Sequence, residues 1–257
     1  MFTKEEKEYY NLIHVLKSHQ NKVNKAKEII TKALEITPRF SINCSYGKDS
    51  LVLLDLVFSI TNKCIVIQSD SGYQLPETYE VRKKCEEKYG YKTIIMPQLM
   101  PMEEFLKEFG LPGINRTATQ HKKVVEITKK NRLDDFIKDH GAEGVFWGIR
   151  KEESKGRRVM ASYKGDIFYN KNRELYFASP ISNFKADDIW SYISWHKLDY
   201  PSFYDKQNCG QNRNWIRNSS WVTTDGATTG TLVWLKYNYP QYYNKLKKEF
   251  KEIEGYV

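Results

Sequence analysis

The sequence lacks several features that would assign a protein to a class at once. It has no run of 18 apolar residues, which a helix needs to cross a membrane. Its first seven residues are mostly charged and lack the apolar stretch of a signal peptide. We find no internal repeat and no low-complexity tract. These absences predict a cytoplasmic protein without a membrane segment.

Cysteine is scarce, and its spacing excludes common cofactor sites. The four cysteines are Cys44, Cys64, Cys85 and Cys209, and no two of them form a C-x-x-C pair. Structural zinc sites and iron–sulfur clusters usually draw on such pairs, so neither is expected. Cys44 and Cys64 lie in predicted core strands and are expected to be buried thiols. Cys209 lies in a polar loop, where a reactive role stays open.

Charge and length restrict the partners and the architecture. The chain has 257 residues, of which 40% are hydrophobic, so it can bury a substantial core. Its 41 basic and 32 acidic residues give a net charge of +9. That balance suits an anionic ligand or a nucleic acid, but lysines on solvated helix faces would give the same value.

The most informative segment is the turn Ser45–Ser50, with the sequence SYGKDS. It follows a short apolar run at 39–44, predicted to be a strand, and precedes the apolar run 51–58, predicted to be a buried helix. A strand, a turn of small residues and a helix N-terminus form an anion site, because backbone N–H groups and the helix dipole face the turn. The turn lacks the glycine spacing of a Walker A loop or a dinucleotide fingerprint. A polyphosphate is the predicted ligand.

Strands and helices alternate after two N-terminal helices, which are predicted at 3–20 and 21–36. Further core strands are predicted at 64–67, 91–95 and 144–147, with helices at 76–89, 102–109 and 122–140 between them. A hairpin is predicted at 167–177, a helix from an Asn183 cap to His196, and a helix at 232–254 interrupted at Pro240. The order predicts an α/β fold with a doubly wound, largely parallel sheet, whose ligands bind at the carboxyl ends of the strands. We expect three segments: an N-terminal helical addition (1–38), the nucleotide-binding domain (39–198) and a C-terminal extension packed on it (199–257).

Four segments in order resemble the phosphoadenosine-phosphosulfate (PAPS) reductase-like branch of the PP-loop ATP pyrophosphatases. The turn 45–50 is similar to the PP-loop S-x-G-x-D-S. The segment 70–79 resembles D-T-G-x-x-F/L-P-E-T-Y, and 148–158 resembles G-x-R-x-x-E-S-x-x-R. The stretch 180–193 resembles the family's P-L-x-x-W segment and the D-V-W-x-Y-I that follows it. The resemblance covers about residues 39–195 and implies a sheet of the HUP/PP-loop type.

The resemblance implies an adenine nucleotide, either ATP with Mg²⁺ or a PAPS-like or APS-like sulfonucleotide, bound over the PP-loop. Asp49 would hold Mg²⁺, although a helix N-terminal carboxylate is the alternative. Asp49, Arg150 and Arg157 are the predicted catalytic residues, the arginines because their planar forks suit phosphate or sulfate. A solvated basic loop is the alternative for 148–158, and a turn residue for Asp70. The predicted nucleotide-binding residues are Ser45, Tyr46, Gly47, Lys48, Ser50, Asp70, Gly72, Arg116, Lys122, Gly148 and Arg158.

The chain departs from the family in its thiols, and this departure sets the predicted reaction. The C-terminal Glu-Cys-Gly-Leu-His nucleophile of PAPS reductases is absent, and Ala118 stands at a cysteine position of a related branch. We therefore predict an enzyme that adenylylates an acceptor with ATP and releases pyrophosphate. A PAPS reductase-like enzyme using Cys209, or a nucleotide-binding component of a nucleic-acid-modifying complex, are the alternatives. A nucleic acid or a sulfur-donor protein is the predicted partner, and the resemblance favours a homodimer.

Overall fold

The computed structural model describes residues 2–70, 72, 74–129, 132–206, 213–216 and 230–257. Their internal contacts define two compact units. The first comprises Met1–Asp70, Glu77–Pro97 and Asn131–Pro201, and the second Ser71–Pro76, Gln98–Lys130 and Ser202–Val257. The boundaries expected at 38 and 198 stay predictions. Cys209 lies outside the described residues.

The first unit contains a six-stranded sheet that confirms the predicted α/β fold. Its strands have the spatial order β3-β2-β1-β4-β6-β5, and every neighbouring pair is parallel except β5 with β6. The order reverses between β1 and β4, and crevices at such reversals bind ligands in open α/β sheets. The strands are β1 Phe40–Asn43, β2 Ile65–Ser69, β3 Thr93–Met96, β4 Gly144–Trp147, β5 Ile167–Asn170 and β6 Leu175–Ala178.

Eleven α-helices are present in the part of the chain that the structure describes. The helices α5, α6, α10 and α11 lie in the second unit, and the others belong to the first. None of these helices is both long and apolar enough to span a membrane. The helices are α1 Lys4–Val15, α2 Lys17–Ile36, α3 Lys48–Phe58, α4 Pro76–Tyr89, α5 Met102–Phe109, α6 Ala118–Lys129, α7 Arg132–Asp139, α8 Lys155–Lys164, α9 Ala186–His196, α10 Thr231–Asn238 and α11 Pro240–Glu249.

Helix α3 is buried on most of its surface, as its apolar sequence predicts. Asp55 is the one polar residue in the apolar run 51–58 of this helix. Its Oδ1 accepts a hydrogen bond from the Tyr89 hydroxyl at 2.5 Å, and its Oδ2 accepts one from the Tyr192 hydroxyl at 2.8 Å. One carboxylate therefore ties α3 to both α4 and α9, and fixes the helix that follows the Ser45–Ser50 turn.

A close contact sets the spacing of β1 and β4 next to that turn. The two strands pair in register with Phe40 opposite Gly144, and the Phe40 ring covers the glycine. A Cβ atom at position 144 would lie 2.5 Å from Cζ of Phe40. Only glycine fits beneath this ring without movement of the strand or the ring.

Two predicted helix boundaries are wrong. The predicted helix 3–20 ends at Val15, because Leu16 is extended (φ −65°, ψ 135°), and the Gln20 side chain bonds the His14 carbonyl at the corner. No glycine or proline marks this break in the sequence. The prediction that 122–140 is mostly helical is confirmed where the structure describes the stretch, by α6 and α7. Helix α9 is capped by Lys185 rather than by Asn183, and the Asp188 side chain accepts the Lys185 backbone N–H.

A histidine cluster fills the corner between α1 and α2 and packs on α9. The His14 ring lies 5.0 Å from that of His19 and 5.5 Å from that of His196, and it stacks on Trp195 at 4.4 Å. His19 Nδ1 lies 3.0 Å from Asp188 Oδ1. Burial, together with smaller contributions from His19 and His196, lowers the pKa of His14 to about 4. The folded chain therefore keeps His14 uncharged at neutral pH.

Lowering the pH from 7.5 to 5 is expected to reduce the free energy of unfolding by about 1 kcal/mol through His14 alone. The unfolded chain binds a proton on this imidazole near pH 6.5, whereas the folded chain resists protonation down to about pH 4. Stability should thus fall between these two values and level off below them. The full shift would give about 2 kcal/mol at pH 5, and partial solvent access halves that figure. Urea unfolding at a series of pH values measures the effect.

The variant His14→Gln should flatten this part of the pH profile, whatever it does to stability at pH 7.5. His121→Gln is the matched control, since His121 is exposed on α6. An unchanged slope between pH 6.5 and 4 in His14→Gln would contradict the assignment.

The second unit has its own ion pairs and apolar contacts. Lys107 on α5 pairs with Glu249 on α11 at 2.9 Å, and Lys245 on α11 pairs with Glu103 on α5. Leu106, Phe109 and Leu246 are buried. The predicted interruption of the C-terminal helix at Pro240 is confirmed, because α10 ends at Asn238 and α11 begins at the proline.

Candidate functional site

The Ser45–Ser50 turn connects β1 to α3 at the point where the strand order reverses. Gly47 is the N-cap of α3 and offers no capping side chain. The backbone N–H of Leu51 donates the first i→i−4 hydrogen bond of the helix, to Gly47 O at 3.0 Å. The Ser50 hydroxyl also donates to that carbonyl, at 2.9 Å, and lies 3.4 Å from the Ser45 hydroxyl. The turn thus has the strand, hydroxyl and helix geometry of an anion site.

The Tyr46 side chain does not line the turn. Tyr46 has a positive φ of 57°, which directs its ring into the core, where it is fully buried. Its hydroxyl lies 2.5 Å from Thr93 Oγ1 and 3.2 Å from the Tyr91 hydroxyl. Of the predicted ligand-binding residues, Tyr46 therefore offers the turn only its backbone, while its ring anchors the turn to the β3 edge.

Two buried cations share the carboxylate of Asp49. The Lys48 ammonium lies 2.7 Å from Asp49 Oδ2, and Arg150 Nε donates to Asp49 Oδ1 at 2.5 Å. The Lys48 and Arg150 side chains are each only 4% exposed, and Asp49 is 17% exposed. We call these three residues the charged triad. It carries one net positive charge beside the N-terminus of α3.

The charged triad determines the ionisation of its members. Burial by itself would raise the pKa of the Asp49 carboxyl, but Lys48 and Arg150 outweigh burial and hold that pKa below its usual value. Burial likewise disfavours the charge on Arg150, and Asp49 and Glu153 more than compensate, so the pKa of Arg150 is raised. Asp49 is therefore an anion, and Arg150 a cation, at neutral pH.

The donor set at Asp49 does not fit a resident Mg²⁺ ion. Mg²⁺ needs free carboxylate or carbonyl oxygens in octahedral geometry. Both Asp49 oxygens already accept bonds from cationic side chains. No group of three or more His, Cys, Asp or Glu residues suited to a metal ion occurs in the described ranges. Lys48 and Arg150 supply positive charge beside the turn.

The loop after β4 supplies a further layer of charge around Arg150. Arg150 Nη1 donates to Glu152 Oε2 at 2.6 Å, and the Arg150 backbone N–H donates to Glu153 Oε2 at 2.9 Å. Arg157 bonds the same Glu153 carboxylate. Glu152 also accepts the Ala186 N–H at 2.8 Å. Two carboxylates thus orient two of the predicted catalytic arginines.

Gly148 brings this loop close to the helix that follows the turn. A Cβ atom at position 148 would lie 3.4 Å from both the Cα and the N of Ser50. The small residue therefore lets the β4 loop pack directly on the first turn of α3. This approach places Arg150 next to Asp49 although 101 residues separate them.

The second motif segment lies after β2. Asp70 accepts a hydrogen bond from the Tyr79 hydroxyl at 3.2 Å, and Arg82 lies 3.6 Å from its other oxygen. Arg82 also donates to Gln68 at 2.9 Å. The Gln68 Nε2 and Thr78 Oγ1 atoms are buried without a hydrogen-bond partner among the described residues. Unsatisfied buried polar atoms are costly, so this segment has donors and acceptors to offer a ligand.

Three predicted site residues lie in the second unit. Gly72 has a positive φ of 70°, and a Cβ atom there would meet Gln98 at 2.6 Å. Arg116 donates to the Phe109 and Gly110 carbonyls at 2.9 Å and so caps the end of α5. Burial lowers the pKa of Arg116. Lys122 is exposed on α6. For Arg116, the observed bonds are those of a structural residue.

The structure also brings in residues that sequence reasoning missed or undervalued. Lys48 occupies a variable motif position, yet it is buried in the charged triad. Glu152 bonds Arg150, and Arg82 lies beside Asp70, although neither stands at a fixed position of the four motif segments. A run of charges just after a core strand, such as 150–153, was the available signal for Glu152. Arg158 lies next to Arg157 but is exposed on the outer face of α8.

The described thiols are poorly suited to nucleophilic chemistry. Cys44, Cys64 and Cys85 are all buried. Burial raises the pKa of Cys44 to about 11 and that of Cys64 to about 12, and it raises the pKa of Cys85 as well. Thiolates form at neutral pH only when the pKa is low, so these three side chains are inert.

Comparison with protein families gives a match to one family over most of the chain. The family model described as "Phosphoadenosine phosphosulfate reductase domain" matches residues 39–250. The adenosine 5'-phosphosulfate reductase of Geobacillus kaustophilus is 28% identical over 164 residues, which cover 63% of this chain and 66% of that protein. Sulfate adenylyltransferase subunit 2 of Serratia proteamaculans is 25% identical over 185 residues, covering 62% of this chain and 58% of that protein. The chain thus spans less than two thirds of the length of each of these relatives.

A solved structure shows the same fold. The phosphoadenylyl-sulfate reductase of Candida auris, determined as a phosphate complex, superposes with a TM-score of 0.54 and 19% sequence identity. The match covers 80% of this chain and 92% of that one. At this identity the likeness concerns the fold alone.

Proposed function

Because the chain belongs to the phosphoadenosine phosphosulfate reductase domain family, we propose that it is an enzyme acting on the 5'-phosphoanhydride of an adenine nucleotide. ATP carries this group as a P–O–P linkage and sulfonucleotides carry it as P–O–S. The charged triad is the observation that supports the proposal best. It sets two buried cations beside the Ser45–Ser50 turn, where the helix α3 N-terminus also favours an anion.

The remaining residues of the site have roles consistent with this ligand. Ser45 and Ser50 offer hydroxyls, and Gly47 allows a phosphate to approach the backbone. Arg157, held by Glu153, would bind the departing anion or an anionic acceptor. Asp49 acts as a positioning residue, since it holds Lys48 and Arg150 in place. Gln68 and Thr78 would meet the polar edge of the nucleoside with their unsatisfied atoms.

The reaction we propose is adenylyl transfer from ATP. An acceptor oxygen attacks the α-phosphorus, the bond to the β-phosphate oxygen breaks, and pyrophosphate leaves while the acceptor loses its proton to water. Lys48, Arg150 and the turn amides stabilise the charge that develops on the leaving group. One curated relative is a sulfate adenylyltransferase subunit, which supports this choice. No step depends on a metal ion held by Asp49.

Reduction of a sulfonucleotide is the second candidate, favoured by the names of several relatives, such as adenosine 5'-phosphosulfate reductase. This reaction needs a thiolate to attack sulfur. The three described cysteines are buried with raised pKa values, so Cys209 is the remaining thiol of the sequence. The reductase alternative therefore requires Cys209 as the nucleophile. It predicts that Cys209→Ser abolishes sulfite release.

Substitution Lys48→Met is expected to weaken nucleotide binding about tenfold to a hundredfold, because it removes one charged contact and keeps the side-chain volume. Calorimetry with ATP and with adenosine 5'-phosphosulfate measures the effect, each in the presence of Mg²⁺ and of EDTA. Binding should persist in EDTA, since the cations of the site belong to the protein. Lys32→Met, at an exposed position on α2, is the control and should bind as the unmodified chain does.

Product analysis of the unmodified chain separates the two reactions. Pyrophosphate release from ATP with sulfate or an oligonucleotide as acceptor supports adenylyl transfer. Sulfite release from adenosine 5'-phosphosulfate with a thiol reductant supports reduction instead. The proposal fails if neither nucleotide binds to the folded protein at millimolar concentration.

A further inference from the structure

Helix α8 has two different faces, and only one of them belongs to the site described above. Its inner face carries Arg157 and Ala161, which together with Arg150 and Phe168 line a small cavity. Its outer face carries Lys155, Arg158, Val159 and Tyr163, and all four are exposed. These four residues recur at helical spacing, so they form one continuous surface, which we call the α8 platform. The helix connects this surface directly to the loop that holds Arg150.

The α8 platform carries positive charge that the fold does not neutralise. The helix contains Lys155, Arg157, Arg158 and Lys164 and no acidic residue. The nearby carboxylates of Glu152 and Glu153 are already bonded to Arg150 and Arg157. Across the described residues, neither Lys155 nor Arg158 has an ion pair or a side-chain hydrogen bond. The outer cations are thus available to a polyanion.

Tyr163 lies on the same face and exposes 87% of its surface, the highest value among the large hydrophobic side chains described. Val159, one turn earlier, is 47% exposed. An aromatic ring in water gains free energy by stacking on another flat ring, and nucleobases provide one irrespective of sequence. A ring that follows a row of cations at helical spacing is the pattern of a surface that stacks a base and contacts the phosphates next to it.

We propose that the α8 platform binds a single-stranded nucleic acid and presents it to the nucleotide site as the acceptor. This inference rests on the proposed function, because it names the acceptor class for that site. Tyr163 would stack on an unpaired base, and Lys155 and Arg158 would contact adjacent phosphates. A duplex cannot use the ring in this way, because its bases are already stacked on one another. Charge complementarity and the exposed ring together favour nucleic acid over an apolar protein partner.

Fluorescence anisotropy of a labelled 20-nucleotide oligo(dT) with the full chain tests this inference. Tyr163→Ala is expected to weaken binding about tenfold, and Tyr163→Phe should retain it, because the ring is kept. Lys155→Ala should lower the slope of log affinity against log salt by about 0.7, the value for one contact to a single-stranded phosphate. Tyr237→Ala, at another exposed tyrosine on α10, is the matched control and should have no effect.

The same variants are then titrated with ATP, with oligo(dT) omitted. Tyr163→Ala and Lys155→Ala should bind ATP as the unmodified chain does, because neither residue lies in the nucleotide site. If the unmodified chain binds oligo(dT) but not ATP, the proposed function is contradicted and the α8 platform is not. If Tyr163→Ala binds oligo(dT) as tightly as the unmodified chain does, the proposed role of the α8 platform is wrong. Duplex DNA or polyglutamate binding with the same dependence on Tyr163 would overturn it too, by assigning the surface to a duplex or to an acidic polypeptide.

Discussion

Replacing Asp49 by Ala is expected to destabilise the protein by about 3–5 kcal/mol and to abolish nucleotide binding. The substitution leaves the Lys48 and Arg150 charges 4% exposed with no shared carboxylate between them. Removing the shared partner of two buried cations costs this much, because Lys48 and Arg150 lose the carboxylate between them and, among the described residues, the Arg150 side chain keeps only its bond to Glu152. Urea unfolding at pH 7.5, followed by circular dichroism, measures the loss.

The exposed pair of Lys83 and Glu87 provides the control for this experiment. Its side chains are 79% and 66% exposed, so Glu87→Ala should cost less than about 1 kcal/mol. The double variant Asp49→Ala/Arg150→Met should be more stable than Asp49→Ala alone, since one of the two buried cations beside the lost carboxylate has been removed. A loss below about 1 kcal/mol in Asp49→Ala would show that the charged triad is not buried as described.

Acid should weaken the triad in a defined direction. The pKa of Asp49 is lowered in the folded chain, so the carboxylate stabilises the fold at every pH above its ordinary value of 3.8. That contribution is lost as the pH falls through the depressed folded value. The histidine effect is complete near pH 4, which places it in a separate, higher window.

Gly144→Val is the second large effect that we expect, at about 2–3 kcal/mol of destabilisation. The new Cβ would lie 2.5 Å from the Phe40 ring, well inside van der Waals contact, in the centre of the sheet. Overpacking a closely packed core forces the backbone or the ring out of place. Because β1 leads into the Ser45–Ser50 turn, the same displacement should weaken nucleotide binding.

A double-mutant cycle tests the cause. Phe40→Leu removes part of the ring that covers position 144, so Gly144→Ala should cost less in a Phe40→Leu background than in the unmodified chain. Gly156→Ala is the control on another glycine, because nothing lies within 4 Å of a Cβ atom there. Equal costs of Gly144→Ala in both backgrounds would contradict the steric explanation.

The sheet and the position of the turn were predictable from local pattern. Apolar runs of four to six residues, bounded by polar turns, gave β1 through β4, and their order along the chain implied a parallel sheet. The small residues between a predicted strand and an apolar helix located the turn that joins β1 to α3. These features depend on short-range sequence, which a single chain displays directly.

The charged triad was not predictable in the same way. Its central bond joins Asp49 to Arg150 across 101 positions, and no periodicity links residues so far apart. Tyr46 illustrates a different limit of motif reasoning. Its place in the motif predicts that its side chain contacts the nucleotide, whereas a φ of 57° turns the ring into the core. The break at Leu16 has no glycine or proline signal, and its stability comes from the tertiary contacts of His14 and His19.

The distance along the chain between Asp49 and Arg150 has a consequence for synthesis. A ribosome adds about 5–20 residues per second, so Arg150 is made roughly 5–20 s after Asp49. During that interval β1 lacks its neighbour β4, and Lys48 is the only triad cation that the nascent chain can offer Asp49. The charged triad therefore forms only after more than half of the polypeptide has left the ribosome, and a truncated product that ends before β4 lacks it.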